Sequence, residues 1–192
     1  MPKAQPGERR NQILQTLAQM LENPRGEKIT TALLAKQLDV SEAALYRHFA
    51  SKAQMFEGLI EFIENSIFSV VNKIHTEEPS GLKQVEAMVA MLLSFAQKNP
   101  GMTRVLIGDA LVNEDDRLQL RINQLHDRIE ASLRQSARLA VTENALPSTW
   151  DVNAYANTLL AYVTGRWHQF AKSGFKRQPL ELWQAQWPVF AA

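Results

Sequence analysis

The feature that most constrains this chain is a pair of short amphipathic segments joined by only two residues. TTALLAKQL occupies residues 30–38 and SEAALYRHF occupies residues 41–49, so residues 39–40 alone separate them. Thr30 and Ser41 are expected to cap the two helices, because their side-chain oxygens accept backbone N–H groups at a helix start. So tight a connection forces two helices to cross at a large angle, which indicates a helix-turn-helix.

A small apolar core is expected to hold this motif together. Ser51 and Gln54 follow it with the spacing of a capping box, which predicts the start of a third, longer helix. The side chains expected to form the core are Leu33, Leu34, Leu38, Val40, Leu45 and Phe49.

The second helix of the motif carries residues suited to DNA outside that core. Its small side chains Ala43 and Ala44 let the backbone approach base edges in the major groove. Tyr46, His48 and Lys52 can reach phosphates, which set the register of a protein on DNA and carry most of the salt-dependent affinity. The predicted DNA-binding residues are Thr30, Thr31, Ser41, Ala43, Ala44, Tyr46, Arg47, His48 and Lys52.

The charge distribution favours a nucleic-acid partner for this part of the chain. Residues 1–52 carry eight basic and five acidic side chains, a net charge of +3, whereas residues 53–192 carry a net charge of −2. A second interpretation stays open at this point. Short amphipathic helix pairs occur in many helical proteins, and Tyr46, His48 and Lys52 would then be surface residues without a ligand.

The composition excludes several functional classes. The chain has 192 residues, 45% of them hydrophobic, and no cysteine, which excludes disulfides, thiolate metal sites and cysteine nucleophiles. It has no apolar run long enough to span a membrane and no apolar stretch typical of a signal peptide, so we expect a cytoplasmic protein. It also has no phosphate-binding loop, metal-ligand spacing or nucleophile elbow, so we expect no enzyme activity, cofactor or metal.

Helical periodicity runs through the whole chain, and no alternating pattern predicts a strand. The expected fold is all-α, with about nine helices. A head at 1–49 would contain an N-terminal arm and the helix-turn-helix, and a body at 50–192 would serve dimerisation and partner binding. The predicted helices are 8–21, one from Thr30, one from Ser41, 51–76, 82–98, 102–111, 115–141, 150–173 and a last one after Pro179.

The run ITTALLAKQLDVSEAALYRHFASKAQMF at 29–56 resembles the DNA-binding signature of TetR-family regulators. The resemblance includes the Tyr-Arg-His-Phe of residues 46–49 and the Lys52 that follows. It implies an all-helical homodimer with a three-helix DNA-binding head. Asp39 departs from the glycine that this family often has in the turn, although aspartate tolerates a left-handed backbone conformation.

Further segments resemble the nucleoid occlusion factors, a group of TetR-type proteins in bacterial cell division. The resemblance implies a nucleoid-associated protein that binds palindromic double-stranded DNA as a dimer, with several dimers possible on one site. It also implies binding of the C-terminal tail of the tubulin-like protein FtsZ, between the fourth and fifth helices, which antagonises FtsZ ring assembly over the nucleoid. The segments are SEAALYRHFASKAQMFEGLIEFIENS, NPGMTRVLIGDAL, DRLQLRINQLHDRIEASLRQ and RWHQFAKSGFKRQPLELWQAQWP.

Helix geometry agrees with such a groove. Phe62 lies about 120° from the core stripe predicted for the fourth helix, which comprises Leu59, Ile63, Ile67, Val70 and Ile74. Met91 is similarly displaced from the stripe of the fifth helix, formed by Val85, Val89, Leu92 and Ala96. Burial of both helices on two sides of a thick bundle is an equally good interpretation of this pattern.

The resemblance assigns the tail-binding positions residue by residue. They are Phe62, Met91, Ser94, Lys98 and Asn99, with Lys73 nearby. Lys98 stands where the family has arginine, Met91 where it has leucine and Ser94 where it has glycine. Val70 stands where the family has an arginine on the fourth helix, so the tail interface lacks that positive charge in this chain.

The seventh and eighth helices are expected to form the dimer surface as a four-helix bundle. The predicted surface uses the apolar stripe of the seventh helix and, on the eighth, Ala154, Leu159, Ala161, Tyr162, Gly165, Trp167 and Phe170. The same side chains could equally belong to the core of one protomer. The main alternative function is a TetR-type repressor that responds to a small-molecule effector held in a cavity of the body.

Overall fold

The structure, a computed structural model, describes residues 7–23 and 29–191. The predicted N-terminal arm and the loop that follows the first helix lie largely outside these residues. Within them the chain is all-α, with nine α-helices, one 3₁₀ helix and no strand, as the sequence predicted. The helices are α1 (Glu8–Leu21), α2 (Thr31–Gln37), α3 (Glu42–Tyr46), α4 (Lys52–Glu77), α5 (Gly81–Lys98), α6 (Pro100–Leu106), α7 (Asp116–Thr142), α8 (Val152–Lys172) and α9 (Trp183–Phe190).

Both predicted caps of the helix-turn-helix are present. Thr30 Oγ1 accepts the N–H of Leu33 at 3.1 Å and starts α2, and Ser41 Oγ accepts the N–H of Ala44 at 3.3 Å and starts α3. Between the two helices Asp39 has a φ of +53°, the left-handed conformation that the turn requires. The prediction for this turn is therefore confirmed.

The core of the head differs from the prediction at one position. Leu34, Leu45 and Phe49 are almost fully buried, but Leu33 is 41% exposed. Leu34 and Leu38 are one helical turn apart and share the buried face of α2, whereas Leu33 is rotated about 100° away from Leu34 towards solvent. The side chain of Leu33 therefore does not belong to the core.

The start of α4 also differs in detail from a full capping box. Ser51 Oγ accepts the N–H of Gln54 at 3.2 Å, as predicted. The Gln54 side chain, however, accepts the N–H of Ala50 at 2.8 Å instead of the N–H of Ser51. Two hydrogen bonds thus fix the start of α4. One satisfies the N–H of Gln54, after Ser51, and the other satisfies the N–H of Ala50, before it.

The buried face of α4 follows a row of residues four positions apart. Ile63, Ile67 and Val71 are buried, whereas Val70 is 39% exposed and Ile74 is half-buried, so the predicted stripe was wrong at Val70 and only partly right at Ile74. Successive steps of four residues rotate by about 40°, so such a row wraps slowly around a helix that crosses its neighbours at an angle. The predicted stripe of α5 is confirmed, since Val85, Val89, Leu92 and Ala96 are fully buried.

Helix α6 starts earlier than predicted and joins the head to the body. Pro100 occupies its first turn, where the missing N–H costs nothing, and a 3₁₀ helix (Asp109–Leu111) follows it after the positive φ of Gly108. A Cβ on Gly101 would lie 1.9 Å from the carbonyl oxygen of Ala18 in α1. Only glycine allows the backbones of α1 and α6 to approach so closely.

The apolar stripe of α7 is buried within the protomer, so the prediction that it forms the dimer surface was wrong. Leu118, Ile122, Leu125 and Leu133 are fully buried because α7 packs between α4, α5 and α8. On α8 the larger predicted side chains are also core. Leu159 and Trp167 have no exposed area, Phe170 is 1% exposed, and Tyr162 is half-buried.

The small residues of α8 remain on the surface. Ala154, Ala161 and Gly165 are exposed and lie on one face of the helix. Among the described residues, no helix is both long and apolar enough to cross a bilayer.

Candidate functional site

The helix-turn-helix presents a small, mostly exposed surface at α3. Ser41 and Ala43 are exposed, Ala44 is half-buried, and Tyr46 and Arg47 are exposed. Thr30 and Ser41 use their oxygens as cap acceptors, so each hydroxyl keeps its proton for donation to an external acceptor. This surface has the small and polar character that the sequence predicted for a helix entering the major groove.

A hydrogen-bonded chain links α2 to α3 on this surface. Thr31 Oγ1 donates to Glu42 Oε2 at 2.6 Å, and the Tyr46 hydroxyl lies 3.5 Å from the same Thr31 oxygen. The Thr31 hydroxyl therefore already donates its hydrogen bond to a carboxylate within the head. Glu42, which the sequence did not single out, places a negative charge at the start of the predicted recognition helix.

Lys52 is also engaged within the protein. Its Nζ lies 2.5 Å from Glu114 Oε1, in the loop before α7, and the two side chains are only 21% and 13% exposed. The same ammonium lies 5.6 Å from the centre of the Phe56 ring. Lys52 is therefore shared between a head surface that can face phosphates and an acidic residue of the body, a pairing across 62 residues that no local pattern reveals.

His48 and Arg47 complete the predicted DNA-binding set. His48 is half-buried, and Arg47 ends α3 as its C-terminal cap. The nine predicted residues therefore lie in one region between the start of α2 and the start of α4. Five of them are exposed, whereas Thr31, Ala44, His48 and Lys52 are partly buried.

Phe62 lies on the surface of α4, as the helix geometry predicted, with 45% of its area exposed. It lines a shallow apolar cavity of about 60 Å³ between α1, α4 and α6. The remaining lining residues are Asn11, Leu14, Gln15, Leu59 and Met102. The walls of this cavity come from α1, α4 and α6, and no residue of α5 lines it, so it differs from the groove between α4 and α5 that was expected from the sequence.

The other predicted partner-binding residues lie on α4 and α5, which pack as an antiparallel pair. Met91 and Ser94 are half-buried on α5, and Lys98 is exposed in its last turn. Asn99 follows as the C-terminal cap, and its Nδ2 donates to the carbonyl of Phe95 at 2.8 Å.

On α4, Lys73 lies eleven positions beyond Phe62, which places it about 16 Å further along the helix. Its side chain is 67% exposed and 3.8 Å from Glu77. The exposed Val70 lies between Phe62 and Lys73, so α4 itself contributes one cation, Lys73, beside an apolar side chain along this stretch.

Two histidines of the body, the half-buried His126 and His75, have pKa values below the ordinary one. Burial lowers the pKa of His126 below 6.5, against the opposing effect of a hydrogen bond with the backbone of Leu106. Burial likewise lowers the pKa of His75, whose Nε2 lies 3.2 Å from Ser136 Oγ. Both side chains are therefore neutral at neutral pH.

Comparison with known proteins decides the family. Residues 27–59 match the family described as bacterial regulatory proteins, tetR family, and residues 80–192 match the family described as tetracyclin repressor-like, C-terminal domain. The chain belongs to the TetR family. The first match covers the helix-turn-helix, and the second covers α5 to α9.

Relatives within the TetR family extend over nearly the whole chain. It is 52% identical to the nucleoid occlusion factor SlmA of Marinomonas sp. over 96% of this chain and 93% of that protein. It is 50% identical to the nucleoid occlusion factor SlmA of Vibrio cholerae over 96% of this chain and 94% of that protein. The fold is also that of the TetR regulator PfmR from Thermus thermophilus, with a TM-score of 0.78 at 21% identity over 93% of this chain and 96% of that one.

Proposed function

We propose that this TetR-family protein is a nucleoid occlusion factor, which binds palindromic chromosomal sites as a dimer and antagonises FtsZ ring assembly over the nucleoid. The observation that carries the proposal is identity of about 50% to nucleoid occlusion factors through both the head and the body. Similarity confined to the head would support DNA binding alone. The protein would act in the cytoplasm while bound to the nucleoid.

The DNA-binding part of the proposal uses the surface of α3. Ala43 and Ala44 approach base edges, and Tyr46 and Lys52 contact phosphates on either side. Thr31 is hydrogen-bonded to Glu42 and Lys52 is paired with Glu114 in the free protein. Each of the two side chains must therefore leave its carboxylate before it can contact a phosphate. Docking on DNA therefore exchanges two internal contacts for contacts with phosphates.

The dimer is proposed to form through α8 and α9. The exposed Ala154, Ala161 and Gly165 allow two α8 helices to approach closely, as in bundles whose contact faces carry small side chains. Val189 is 76% exposed on α9, which is linked to α8 through the hydrogen bonds of Tyr155 and Tyr162, and it supplies a further exposed apolar side chain. Burial of these residues against a second copy gives the two-fold symmetry that a palindromic site requires.

The FtsZ tail is proposed to bind along α4 with Phe62 as its apolar anchor. A large aromatic side chain, half exposed beside an apolar cavity, is typical of the central residue of a peptide-binding groove. Lys73 and Lys98 supply positive charge near the two ends of this surface, which suits a tail that carries acidic as well as apolar residues. Met91, Ser94 and Asn99 would line the groove on the side of α5.

A ligand-responsive TetR repressor is the second candidate, and one observation favours it. Among the described residues, His126 Nε2 and Arg134 Nε are buried without a hydrogen-bond partner. Such atoms in the interior of the body are groups that a polar effector could satisfy. This function predicts no affinity for an FtsZ tail.

A titration of a labelled FtsZ tail peptide, with and without a palindromic DNA duplex, tests the proposal. We expect saturable binding by the natural protein and at least a tenfold loss on Phe62→Ala. Leu120→Ala is the matched control, because Leu120 is also exposed, at 61%, but lies on α7. Absence of binding with and without DNA would refute the division role and leave the repressor.

A further inference from the structure

The turn between α8 and α9 carries an unusual concentration of positive charge. Residues 152–180 contain four Lys or Arg side chains and no Asp or Glu. Three of the four lie within residues 172–177, here called the basic turn, which comprises Lys172, Ser173, Gly174, Phe175, Lys176 and Arg177. The body as a whole is acidic, so this charge is local.

The basic turn has a defined conformation. Ser173 Oγ accepts the backbone N–H groups of Lys176 at 3.1 Å and Arg177 at 2.9 Å. Gly174 and Phe175 both have a φ of +64°, and the Phe175 ring packs 5.1 Å from that of Phe170. The backbone that presents the two cations is therefore ordered before any ligand arrives, which lowers the entropic cost of binding.

The course of the helices places the basic turn at the same end of the body as the head. Helix α7 starts beside Lys52, which Glu114 contacts, and ends beside α5, where Glu143 accepts the N–H of Gly81 at 2.8 Å. Helix α8 returns antiparallel to α7, because Asn157 near its start contacts Glu130 in the second half of α7. The C-terminal end of α8 therefore lies near the head.

Two ion pairs and a hydrogen bond also link the basic turn to the head. Lys172 pairs with Asp109, and Asp109 also accepts from Arg104 Nε at 2.8 Å. Arg104 Nη1 in turn donates to the carbonyl of Leu21 at 3.2 Å, at the end of α1 in the head. Only the side chains of Asp109 and Arg104 thus lie between Lys172 of the basic turn and the backbone of the head.

Lys176 and Arg177 are available for a partner. Both are exposed, and no carboxylate of residues 7–23 and 29–191 lies within 4 Å of either. Arg177 also lines an open depression of about 460 Å³ together with His168, Gln169, Lys172 and Ser173. An ordered turn that carries unpaired cations beside an open depression suits a polyanion.

We infer that the basic turn binds the phosphate backbone of DNA at the centre of the palindromic site, between the two heads of a dimer. The inference rests on the proposed dimer through α8 and α9. Because the basic turn joins these two helices, its two copies lie beside the two-fold axis, on the side of the heads.

The symmetry of the site favours DNA over an acidic peptide as the partner. The two-fold axis of a dimer on a palindrome passes through the centre of the duplex, and the half-sites read by the two heads are about 34–36 Å apart. The phosphates between the half-sites are thus near the axis and are not covered by α3. Two Lys176–Arg177 pairs related by that axis match the two strands that cross it.

Salt dependence of DNA binding tests the inference. The double variant Lys176→Ala/Arg177→Ala and the natural protein are titrated with a palindromic duplex selected in vitro on the natural protein, at several salt concentrations. The slope of log K against log[salt] is negative, and each lost phosphate contact reduces its magnitude by about 0.9, so the loss of four contacts per dimer reduces it by about 3.6. Phosphate-ethylation interference should also disappear between the half-sites and persist within them.

Lys83→Ala/Arg138→Ala is the control, because it removes the same charge from exposed positions at the end of the body distant from the head. A slope for the basic-turn variant equal to that of the control, with unchanged central interference, would overturn the inference while leaving DNA binding by the head intact. Loss of binding to anionic lipid vesicles with an unchanged DNA slope would overturn it equally and assign the turn to a membrane. Failure of the natural protein to bind any duplex would instead contradict the proposed function.

Discussion

Replacement of Glu114 by glutamine should tighten DNA binding, because Lys52 would no longer have to leave a carboxylate to reach a phosphate. The Lys52–Glu114 pair has a separation of 2.5 Å, and its side chains are 21% and 13% exposed. Exposed ion pairs contribute about 0.2–1 kcal/mol, and hydrogen bonds to charged groups about 1.5–3 kcal/mol. A partly buried pair falls between these ranges, so we assign it about 1 kcal/mol.

Glu114→Gln removes this contact from the free protein, so DNA binding no longer has to break it. A free-energy difference of about 1 kcal/mol corresponds to an affinity for DNA about fivefold higher at low salt. The assay is fluorescence anisotropy with a labelled duplex. In the Lys52→Ala background the gain should vanish, because the two substitutions act on one contact.

The control is Glu143→Gln, which makes the same charge change at the other end of α7. The 27 residues of α7 place it about 40 Å away, several Debye lengths at ordinary salt. Glu143→Gln should leave the affinity unchanged. A Glu114→Gln protein that binds DNA no better than the natural protein would refute the assignment of Lys52 as a phosphate contact limited by Glu114.

Two further predictions concern the body and its junction with the head. Gly101→Ala should lower the free energy of unfolding by about 3 kcal/mol, because the new Cβ would meet the Ala18 carbonyl at 1.9 Å. In contrast Gly165→Ala, where a Cβ meets no described atom of the same protomer within 4 Å, should lower it by much less, because the new methyl group meets only the second copy in the proposed dimer. Equal effects of the two substitutions in chemical denaturation would contradict this packing. The melting temperature should also fall as pH drops below 6.5, because burial lowers the pKa of His126 and the unfolded chain then binds more protons than the folded one. His126→Gln should flatten this dependence between pH 7.5 and 5.5, and an unchanged slope would exclude His126 as its source.

Local features of the head could be predicted from the sequence because their causes are local. Thr30, Ser41 and Ser51 cap helices through hydrogen bonds to residues three positions away. Asp39 adopts its left-handed conformation within a two-residue turn. The exposure of Phe62 likewise follows from the 100° rotation per residue of a single helix.

Contacts between distant elements could not be predicted. The pairing of Lys52 with Glu114 and of Lys172 with Asp109 depends on how α7 and α8 return to the head, which periodicity does not reveal. The exposure of Val70 depends on the angle at which neighbouring helices cross α4. The apolar stripe of α7 was compatible with a dimer surface or a core, and only its packing in the fold distinguishes the two.

The central claim is that one chain reads DNA with its head and acts on FtsZ with its body. The most direct measurement is sedimentation of GTP-assembled FtsZ polymers with this protein, in the presence and absence of a palindromic duplex. We expect the protein to reduce the sedimented polymer, more strongly with the duplex than without it, and we expect Phe62→Ala to abolish the reduction while DNA binding persists. Unchanged FtsZ assembly at saturating protein and duplex would contradict the claim.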